Sequence, residues 1–334
     1  MVRLRRRAGK RVTYRRDAEV QRKNEEISHR WTRIHTDEED EKANPFNISV
    51  FIRVYLWQNL PLCLRASVVK IFGRMKKKLV LKIGTSTLTN GTRLISRGKI
   101  EDIGRQILAL RDEFDIVLVS SGAIAAAKQY INIKDAGKPV ESKQAMAAIG
   151  QPLLMRTYNE IFSDFGIQTA QCLMTNRDFE NETSRQNTLN TITELIKYSY
   201  VPIINENDTT AVEEIILGDN DNLSALVAVL IQADLLILVS DIDGLFDKNP
   251  HLHADANLIP EIKNIEEAMG LVEERDSGLG TGGMNSKLEA AMLCQKKNIE
   301  TWIVGGGQNN FLIDSFAGKI GFTRFSTGRN ENIS

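Results

Sequence analysis

Residues 79–86 read Leu-Val-Leu-Lys-Ile-Gly-Thr-Ser, an apolar run that ends in a glycine and two hydroxyl side chains. Successive apolar residues in so short a run are typical of a strand that is buried on both faces. Lys82 could be a strand-end lysine that extends to solvent. The neighbouring Gly84 favours ligand binding instead, because a glycine lets a ligand approach the backbone closely. This stretch therefore predicts a central strand with a ligand site at its carboxyl end.

Five more apolar runs follow along the chain, and amphipathic segments separate them. The predicted strands cover residues 79–83, 116–120, 167–173, 201–204, 235–239 and 301–304. The predicted helices cover residues 99–111, 143–162, 184–197, 223–231 and 286–297. Strands that are apolar on both faces and separated by helices predict an α/β fold. We expect a three-layer α/β/α sandwich with a mostly parallel central sheet.

Polar residues follow four of these strands, at the sheet edge where open α/β sheets bind ligands. The four polar segments are Gly84-Thr85-Ser86, Ser120-Ser121-Gly122, Asn205-Glu206-Asn207-Asp208 and Ser240-Asp241. The Ser121 hydroxyl and the Gly122 amide could hold a substrate carboxylate, although Ser121 could equally be the N-cap of the next helix. No Gly-x-Ser-x-Gly motif surrounds this serine, so a nucleophilic role is not indicated.

Two further stretches carry the most chemical information. Gly218-Asp219-Asn220-Asp221-Asn222 places two carboxylates and two amides on a turn before an apolar helix. Gly280-Thr281-Gly282-Gly283-Met284-Asn285-Ser286-Lys287 is a loop of small residues that ends in a lysine at the start of another helix. Backbone N–H groups, a helix N-terminus and a lysine suit phosphate, while clustered Asp and Asn suit an ammonium group or the placement of lysines. One pocket for a polyphosphate and a small zwitterion predicts an enzyme that phosphorylates an amino acid.

Other kinds of site find little support in the sequence. A formal Gly-x-Gly-x-x-Gly at Gly278, Gly280 and Gly283 is not preceded by a strand, so it fails the context of a dinucleotide-binding motif. His251 and His253 lie in a loop rich in Pro, Asp and Asn, where a surface position is favoured over metal ligation. We predict no metal site built from protein side chains.

The chain of 334 residues has three cysteines, which are far apart and form no Cys-x-x-Cys pair. This arrangement favours a reducing compartment and argues against a disulfide framework or a zinc site. The most apolar stretch, residues 48–72, is interrupted by polar and charged residues and lacks the roughly 20 uninterrupted apolar residues of a membrane span. We therefore predict a cytoplasmic protein without a membrane partner.

The net charge is zero overall, but it is unevenly distributed. Residues 1–74 carry 17 Lys/Arg and 9 Asp/Glu, a net charge of +8, and we expect them to be a disordered basic extension or a mis-assigned start before Met75. The alternative is a helix over residues 50–72 that packs on the domain or on a membrane surface. Nucleic-acid binding by this arm is not favoured, because it has neither aromatic interleaving nor a recognisable module. The kinase domain is predicted over residues 75–328.

From about residue 78 to residue 325 the sequence resembles the amino-acid kinase family. The resemblance rests on residues 81–86, 120–124, 204–208, 218–225 and 278–284. It implies the amino-acid kinase fold and ATP-dependent phosphorylation of the side-chain carboxylate of L-glutamate to L-glutamyl 5-phosphate, the first step of proline biosynthesis. Many family members carry a C-terminal RNA-modification-type (PUA) domain, and we expect this chain to be a short form without it.

The resemblance also implies roles for individual residues. Lys82 and Lys287 would contact the transferring phosphoryl group, and Asp221 would orient both lysines. Glutamate would be held by Ser121, Gly122, Asn205, Asp208, Asp219 and Asn220. ATP would be held by Lys82, Gly84, Ser240, Asp241, Thr281, Gly282, Gly283, Met284, Asn285, Ser286 and Lys287, with Mg²⁺ carried mostly by phosphates and water. We also expect feedback inhibition by proline and a homo-oligomer.

Two alternatives stay open at this point. The first is another member of the family, such as an aspartate, N-acetylglutamate or nucleoside monophosphate kinase. Asp208 and Asp219 offer countercharges for a free amine, which favours glutamate or aspartate as the substrate. The second is a non-catalytic amino-acid sensor with the same fold. A sensor would be expected to have lost Lys82 or Lys287, and both are present.

Deletion of residues 1–74 should leave folding and kinase activity intact, because every predicted site residue lies after Met75. Thermal unfolding and glutamate-dependent ADP release, measured side by side with the full-length chain, would check this. A truncated protein that is folded but inactive would contradict it.

Overall fold

The computed structural model describes residues 76–131, 140–210, 220–248, 250, 252–266, 268–269 and 282–327. The predicted N-terminal extension and the alternative helix over residues 50–72 lie outside these residues, so the boundary at Met75 stays a prediction. None of the helices in the described ranges is long and apolar enough to cross a membrane.

The described structure is built around an eight-stranded sheet. Its strands in chain order are β1 (Lys77–Ile83), β2 (Phe114–Ser120), β3 (Gln168–Met174), β4 (Tyr200–Glu206), β5 (Leu235–Ser240), β6 (Glu261–Ile262), β7 (Glu300–Gly305) and β8 (Thr323–Phe325). Their spatial order is β3-β4-β2-β1-β5-β7-β8-β6. All neighbours pair in parallel except β7 and β8, which are antiparallel. Strand β1 therefore lies near the middle, and its carboxyl end lies between those of β2 and β5.

Helices cover both faces of this sheet. They are α1 (Thr85–Thr89), α2 (Arg97–Leu110), α3 (Ala123–Ala127), α4 (Val140–Asp164), α5 (Arg177–Glu180), α6 (Glu182–Lys197), α7 (Asn220–Ile231), α8 (Gly282–Gln295) and α9 (Phe311–Phe316). Leu79 and Leu81 of β1 belong to a core with α2, α4 and α9, whereas Val80 belongs to a second core with α6, α7 and α8. Because successive strand residues point to opposite faces, both faces of β1 are buried. The predicted three-layer sandwich with a mostly parallel sheet is confirmed.

Two helices begin earlier than the sequence predicted. Helix α7 begins at Asn220 rather than at residue 223, and α8 begins at Gly282 rather than at residue 286. Asn220 and Asp221 thus lie in the first helical turn and not on a turn before it. A carboxylate is stabilised there by the free N–H groups and the helix dipole. Helix α7 opens with polar residues and α8 with two glycines, so apolar periodicity is weak in both first turns and placed both boundaries too late.

Strand β3 departs from the expectation that the strands are apolar on both faces. Most of its side chains are exposed or half-buried, because β3 is at the edge of the sheet. The strands β6 and β8 have two and three residues, and the helices α1, α3, α5 and α9 have four to six. Elements this short carry too little periodicity to be recognised in a sequence.

Helices α3 and α4 are in close contact at Gly150. A Cβ atom at this position would lie 1.7 Å from the carbonyl oxygen of Ala123 and 2.8 Å from the backbone nitrogen of Ala127. Both obstacles are backbone atoms, so no side-chain rotation could make room. Since α3 directly follows Ser121 and Gly122, this contact also fixes the turn at the end of β2.

Replacing Gly150 with alanine should destabilise the fold by about 1–3 kcal/mol, because the two helices must move apart to accept the added methyl group. Thermal unfolding monitored by circular dichroism would measure the loss. Gly98→Ala is the matched control, since Gly98 is an exposed helical glycine whose added Cβ would meet no atom closer than 4.0 Å. Alanine there should be neutral or stabilising. Equal effects of the two substitutions would contradict the proposed importance of the α3–α4 contact.

Candidate functional site

Three charged side chains converge beyond the carboxyl end of β1, and we call them the charge centre: Lys82, Asp221 and Lys287. The Nζ atom of Lys82 lies 2.5 Å from Oδ1 of Asp221, and the Nζ atom of Lys287 lies 3.0 Å from Oδ2. The side chain of Lys82 is 10% exposed, that of Asp221 is 3% exposed and that of Lys287 is 12% exposed. Asp221 thus uses one carboxylate oxygen for each lysine, which fixes the distance between the two ammonium groups.

The charge centre carries a net positive charge in a largely buried place. Burial acts to raise the pKa of Asp221, but the charges and hydrogen bonds of Lys82 and Lys287 outweigh it, so the pKa is lowered. Asp221 is therefore a carboxylate at neutral pH, and two ammonium groups face one negative charge. Preorganised positive charge in a site with little water attracts and stabilises phosphoryl oxygens.

Helix α8 contributes its first two turns to this centre. Lys287 also donates to the carbonyl oxygen of Gly283 at 2.8 Å, and Ser286 donates to Oδ2 of Asp221 at 3.0 Å. Lys287 was predicted to open this helix, but it lies in the second turn because the helix begins at Gly282. Met284 and Asn285 lie in the first turn and are half-buried.

A row of side-chain amides runs from the sheet edge to the charge centre, and we call it the amide chain: Gln171, Gln151, Asn205 and Asn220. Gln151 donates to Gln171 at 3.2 Å, and Asn205 donates to Gln151 at 2.9 Å. Asn220 donates to Asn205 at 2.9 Å and also to the hydroxyl of Ser121 at 2.7 Å. The chain links α4, β3, β4, α7 and the end of β2 through hydrogen bonds alone.

Ser121 and Gly122 form the turn from β2 to α3. Gly122 occupies the N-cap position with φ of +107°, a backbone conformation that suits glycine. No side chain caps this helix, and the Ser121 hydroxyl accepts from Asn220 instead. The interpretation of Ser121 as an N-cap is therefore wrong.

A cavity of about 210 Å³ adjoins the amide chain. It is lined by Ala123, Ala147, Ala148, Gln151, Pro152, Gln171, Leu173, Glu206, Asn207, Asp208 and Thr209. Burial raises the pKa of the half-buried Asp208. A carboxylate in this position would be stabilised by a cationic ligand, because an opposite charge offsets the cost of burial.

Ser240 and Asp241 end strand β5, beside the end of β1. The Ser240 hydroxyl donates to the carboxylate of Asp241 at 3.2 Å, and its carbonyl oxygen accepts from the backbone of Gly306 at 2.7 Å. Gly84 lies between the two strand ends: a Cβ atom there would be in ordinary van der Waals contact with Nζ of Lys82 at 3.7 Å and with the carbonyl oxygen of Val239 at 3.8 Å. This places Ser240, Asp241 and Gly84 at one edge of the sheet with Lys82.

The structure brings most of the predicted site residues to this edge. Asp219 and Thr281 lie outside the described residues, and Gly282 is described only by its backbone. Gln151 and Gln171 were missed by the sequence analysis. Gln151 could have been found, because it is a polar residue between Ala147 and Leu154, at the helical spacing that faces the core.

Known proteins resemble this chain over most of the described domain. Residues 77–305 match the model of the amino acid kinase family. The glutamate 5-kinase of Pasteurella multocida is 40% identical over 255 residues, which are 76% of this chain and 70% of that protein. The glutamate 5-kinase of Clostridium acetobutylicum is 45% identical over 231 residues, which are 69% of this chain and 86% of that protein.

The fold also has a counterpart among solved structures. The crystal structure of UMP kinase from Ureaplasma parvum aligns with a TM-score of 0.55 at 18% sequence identity. The alignment covers 76% of this chain and all of that protein. At this identity the likeness concerns the fold alone.

Proposed function

This chain belongs to the amino acid kinase family and, within it, to the glutamate 5-kinases, and we propose how its described residues transfer the γ-phosphoryl group of ATP to L-glutamate. The reaction forms L-glutamyl 5-phosphate and is the first step of proline biosynthesis. The observation that carries the mechanism is the charge centre, in which Asp221 holds Lys82 and Lys287 together at the carboxyl end of β1.

The chemistry needs positive charge more than it needs a base. The side-chain carboxylate of glutamate is already ionised at pH 7, so no group has to remove a proton from it. Its oxygen attacks the γ-phosphorus while the bond from that phosphorus to the ADP oxygen breaks. The barrier is the approach of one anion to another, and Lys82 and Lys287 offset this repulsion and stabilise charge on the phosphoryl oxygens.

The amide chain and the cavity provide the acceptor half of the pocket. We assign the substrate carboxylate on Cα to the Ser121 hydroxyl and the Gly122 amide. The ammonium group goes to Asn220 and Asp208, with Asp219 and Asn205 in support. Of the residues assigned here, Asp208 lines the cavity of about 210 Å³ that adjoins the amide chain.

The other half of the pocket is assigned to ATP. Helix α8 begins at Gly282, and the free N–H groups of a helix N-terminus bind phosphate. Gly283 through Lys287 follow in its first turns, with Thr281 just before them. Ser240 and Asp241 at the end of β5, and Gly84 at the end of the neighbouring strand β1, are assigned to the same half of the pocket.

Mg²⁺ would enter this site with the nucleotide. Among the described residues, no group of three or more His, Cys, Asp or Glu side chains could hold a metal ion, and both oxygens of Asp221 already face lysines. These residues fit an ion that keeps its waters and binds mainly to phosphates. When bound, the ion would neutralise phosphate charge.

Other members of the family are the nearest competing assignment. An aspartate kinase would share the charge centre and differ only in the length of the acceptor. A non-catalytic sensor is disfavoured, because it has no need for two buried lysines aimed at one carboxylate. We also propose a cytoplasmic location, in keeping with the free thiols of Cys172 and Cys294. A homo-oligomeric state and inhibition by proline stay proposals that follow from the family resemblance.

Lys82→Ala and Lys287→Ala should each lower kcat far more than they raise the KM for glutamate. Removing one preorganised charge of this kind typically costs on the order of 10²–10³ in kcat. Steady-state kinetics of ADP release, with glutamate and ATP varied in turn, would show the split.

Lys78→Ala is the matched control for both lysine variants. Lys78 lies at the other end of β1, where it donates to the carbonyl oxygen of Ile231 at 2.7 Å, so its loss should leave turnover near that of the unmodified chain. Near-normal turnover in both Lys82→Ala and Lys287→Ala would refute their assigned roles.

Glutamate should be phosphorylated much faster than aspartate, N-acetylglutamate or UMP. Shortening the side chain by one methylene withdraws the attacking carboxylate by about 1 Å, and a misplacement of that size can cost on the order of 10²-fold in rate. Acetylation removes the positive charge that Asp208 and Asn220 are assigned to recognise. Trapping the acyl phosphate with hydroxylamine as a hydroxamate would measure each product. Equal kcat/KM for aspartate and glutamate would overturn the substrate assignment and leave the kinase fold intact.

A further inference from the structure

The four amides of the amide chain all point in the same direction. Each side-chain amide has one acceptor oxygen and one donor nitrogen. Gln151 donates to Gln171, Asn205 donates to Gln151, and Asn220 donates to Asn205. Reversal of any one amide would place two donors or two acceptors against each other. The orientation of each member therefore depends on that of its neighbour.

This common direction determines which atom of Asn220 is left without a hydrogen-bond partner. Its Nδ2 atom donates both to Asn205 at 2.9 Å and to Ser121 at 2.7 Å. Its Oδ1 atom is buried and has no hydrogen-bond partner within the described part of the chain. A buried acceptor without a partner is unusual and costly. An ammonium group, which only donates, is the ligand chemistry that satisfies it.

We propose that Gln151 is a positioning residue for the ammonium group of the substrate, acting through Asn205 on the orientation of Asn220. The inference rests on the proposed function. Both polar ends of Gln151 are engaged within the chain, since its oxygen accepts from Asn205 and its nitrogen donates to Gln171. Gln151 is 7% exposed on α4, so the protein and not bulk water determines its orientation.

Without Gln151 the orientation of Asn220 is no longer specified. Asn205 could then reverse, and its nitrogen would face Asn220. Asn220 would reverse in turn and present N–H groups to the ammonium ion. Two donors facing each other repel, so affinity for the amine would fall. The ATP half of the pocket shares none of these hydrogen bonds and should keep its affinity.

The test compares Gln151→Met with Gln151→Glu. Methionine keeps the size of the side chain but forms no comparable hydrogen bond, whereas a glutamate carboxylate still accepts from Asn205. Two constants are measured. One is the KM of glutamate, and the other is the inhibition constant of glutarate, a five-carbon dicarboxylate without an amine. Gln151→Met should raise the KM of glutamate by about 10-fold, since a hydrogen bond to a charged group is worth roughly this much. The inhibition constant of glutarate and the KM of ATP should stay within roughly two-fold, because neither ligand uses the amine contact.

Gln151→Glu shows whether an effect comes from the orientation of Asn220 or from altered packing at position 151. Its added negative charge repels dianionic glutarate more than glutamate, which carries an ammonium group. The ratio of the inhibition constant of glutarate to the KM of glutamate should therefore stay at or above the value of the unmodified chain. Gln186→Met is the matched control, because Gln186 is an exposed residue of α6 that donates to Asn190 at 2.9 Å. It should change none of the constants.

Three outcomes would overturn the inference. The first is that Gln151→Met raises the KM of glutamate and the inhibition constant of glutarate equally. The second is that Gln151→Met leaves the KM of glutamate unchanged. The third is that Gln151→Glu loses the preference for glutamate over glutarate as Gln151→Met does. If Gln151→Met fails to fold, Gln171→Met and Gln171→Glu test the same chain at its exposed end, with the same pattern expected. Absence of glutamate-dependent ADP release from the unmodified chain would refute the proposed function instead, so the two failures are distinguishable.

Discussion

The carboxylate of Asp221 between two lysines is the interaction on which the rest of the site depends. It joins residues from a central strand and from two helices that are far apart in the chain. Such a contact forms only if β1 lies inside the sheet and if α7 and α8 lie on the same face of it. The parallel strand order and the three-layer packing meet both conditions. Each lysine has a carboxylate oxygen close to it, which offsets part of the cost of burying the three charged groups.

Under the proposed assignment, the two halves of the pocket recognise their ligands by different interactions. Around Lys82 and Lys287 the net positive charge dominates, which suits the diffuse negative charge of a polyphosphate. Around Asn205 and Asn220 the direction of the hydrogen bonds matters most, which suits an acceptor with distinct amine and carboxylate ends. Ser121 joins the two halves, since it follows the strand next to β1 and accepts from Asn220.

Much of this arrangement could be predicted from the sequence. Strands that are apolar on both faces indicated the layers, and the polar residues at their ends indicated the edge where Lys82, Ser121, Asn205 and Ser240 meet. The beginnings of α7 and α8 were placed too late, because apolar periodicity is weak in a first turn of polar residues or glycines. Gln151 was missed for a different reason. A single polar residue on an otherwise apolar helix face gives no information about its partner, and its partners Gln171 and Asn205 come from other strands.

Asn220 and Asp221 are consecutive residues in the first turn of α7. One of them belongs to the amide chain and the other to the charge centre. A single peptide unit therefore separates the residue assigned to the substrate amine from the residue that holds the two lysines assigned to the phosphoryl group. The distance between the backbones of these two residues is therefore fixed by the peptide bond that joins them, and loop movements elsewhere cannot change it. Under the proposed assignment, helix α7 sets the distance between the site of the substrate amine and the two lysines. On that assignment, a kinase for a shorter or longer acceptor is expected to bind the amine at a different position.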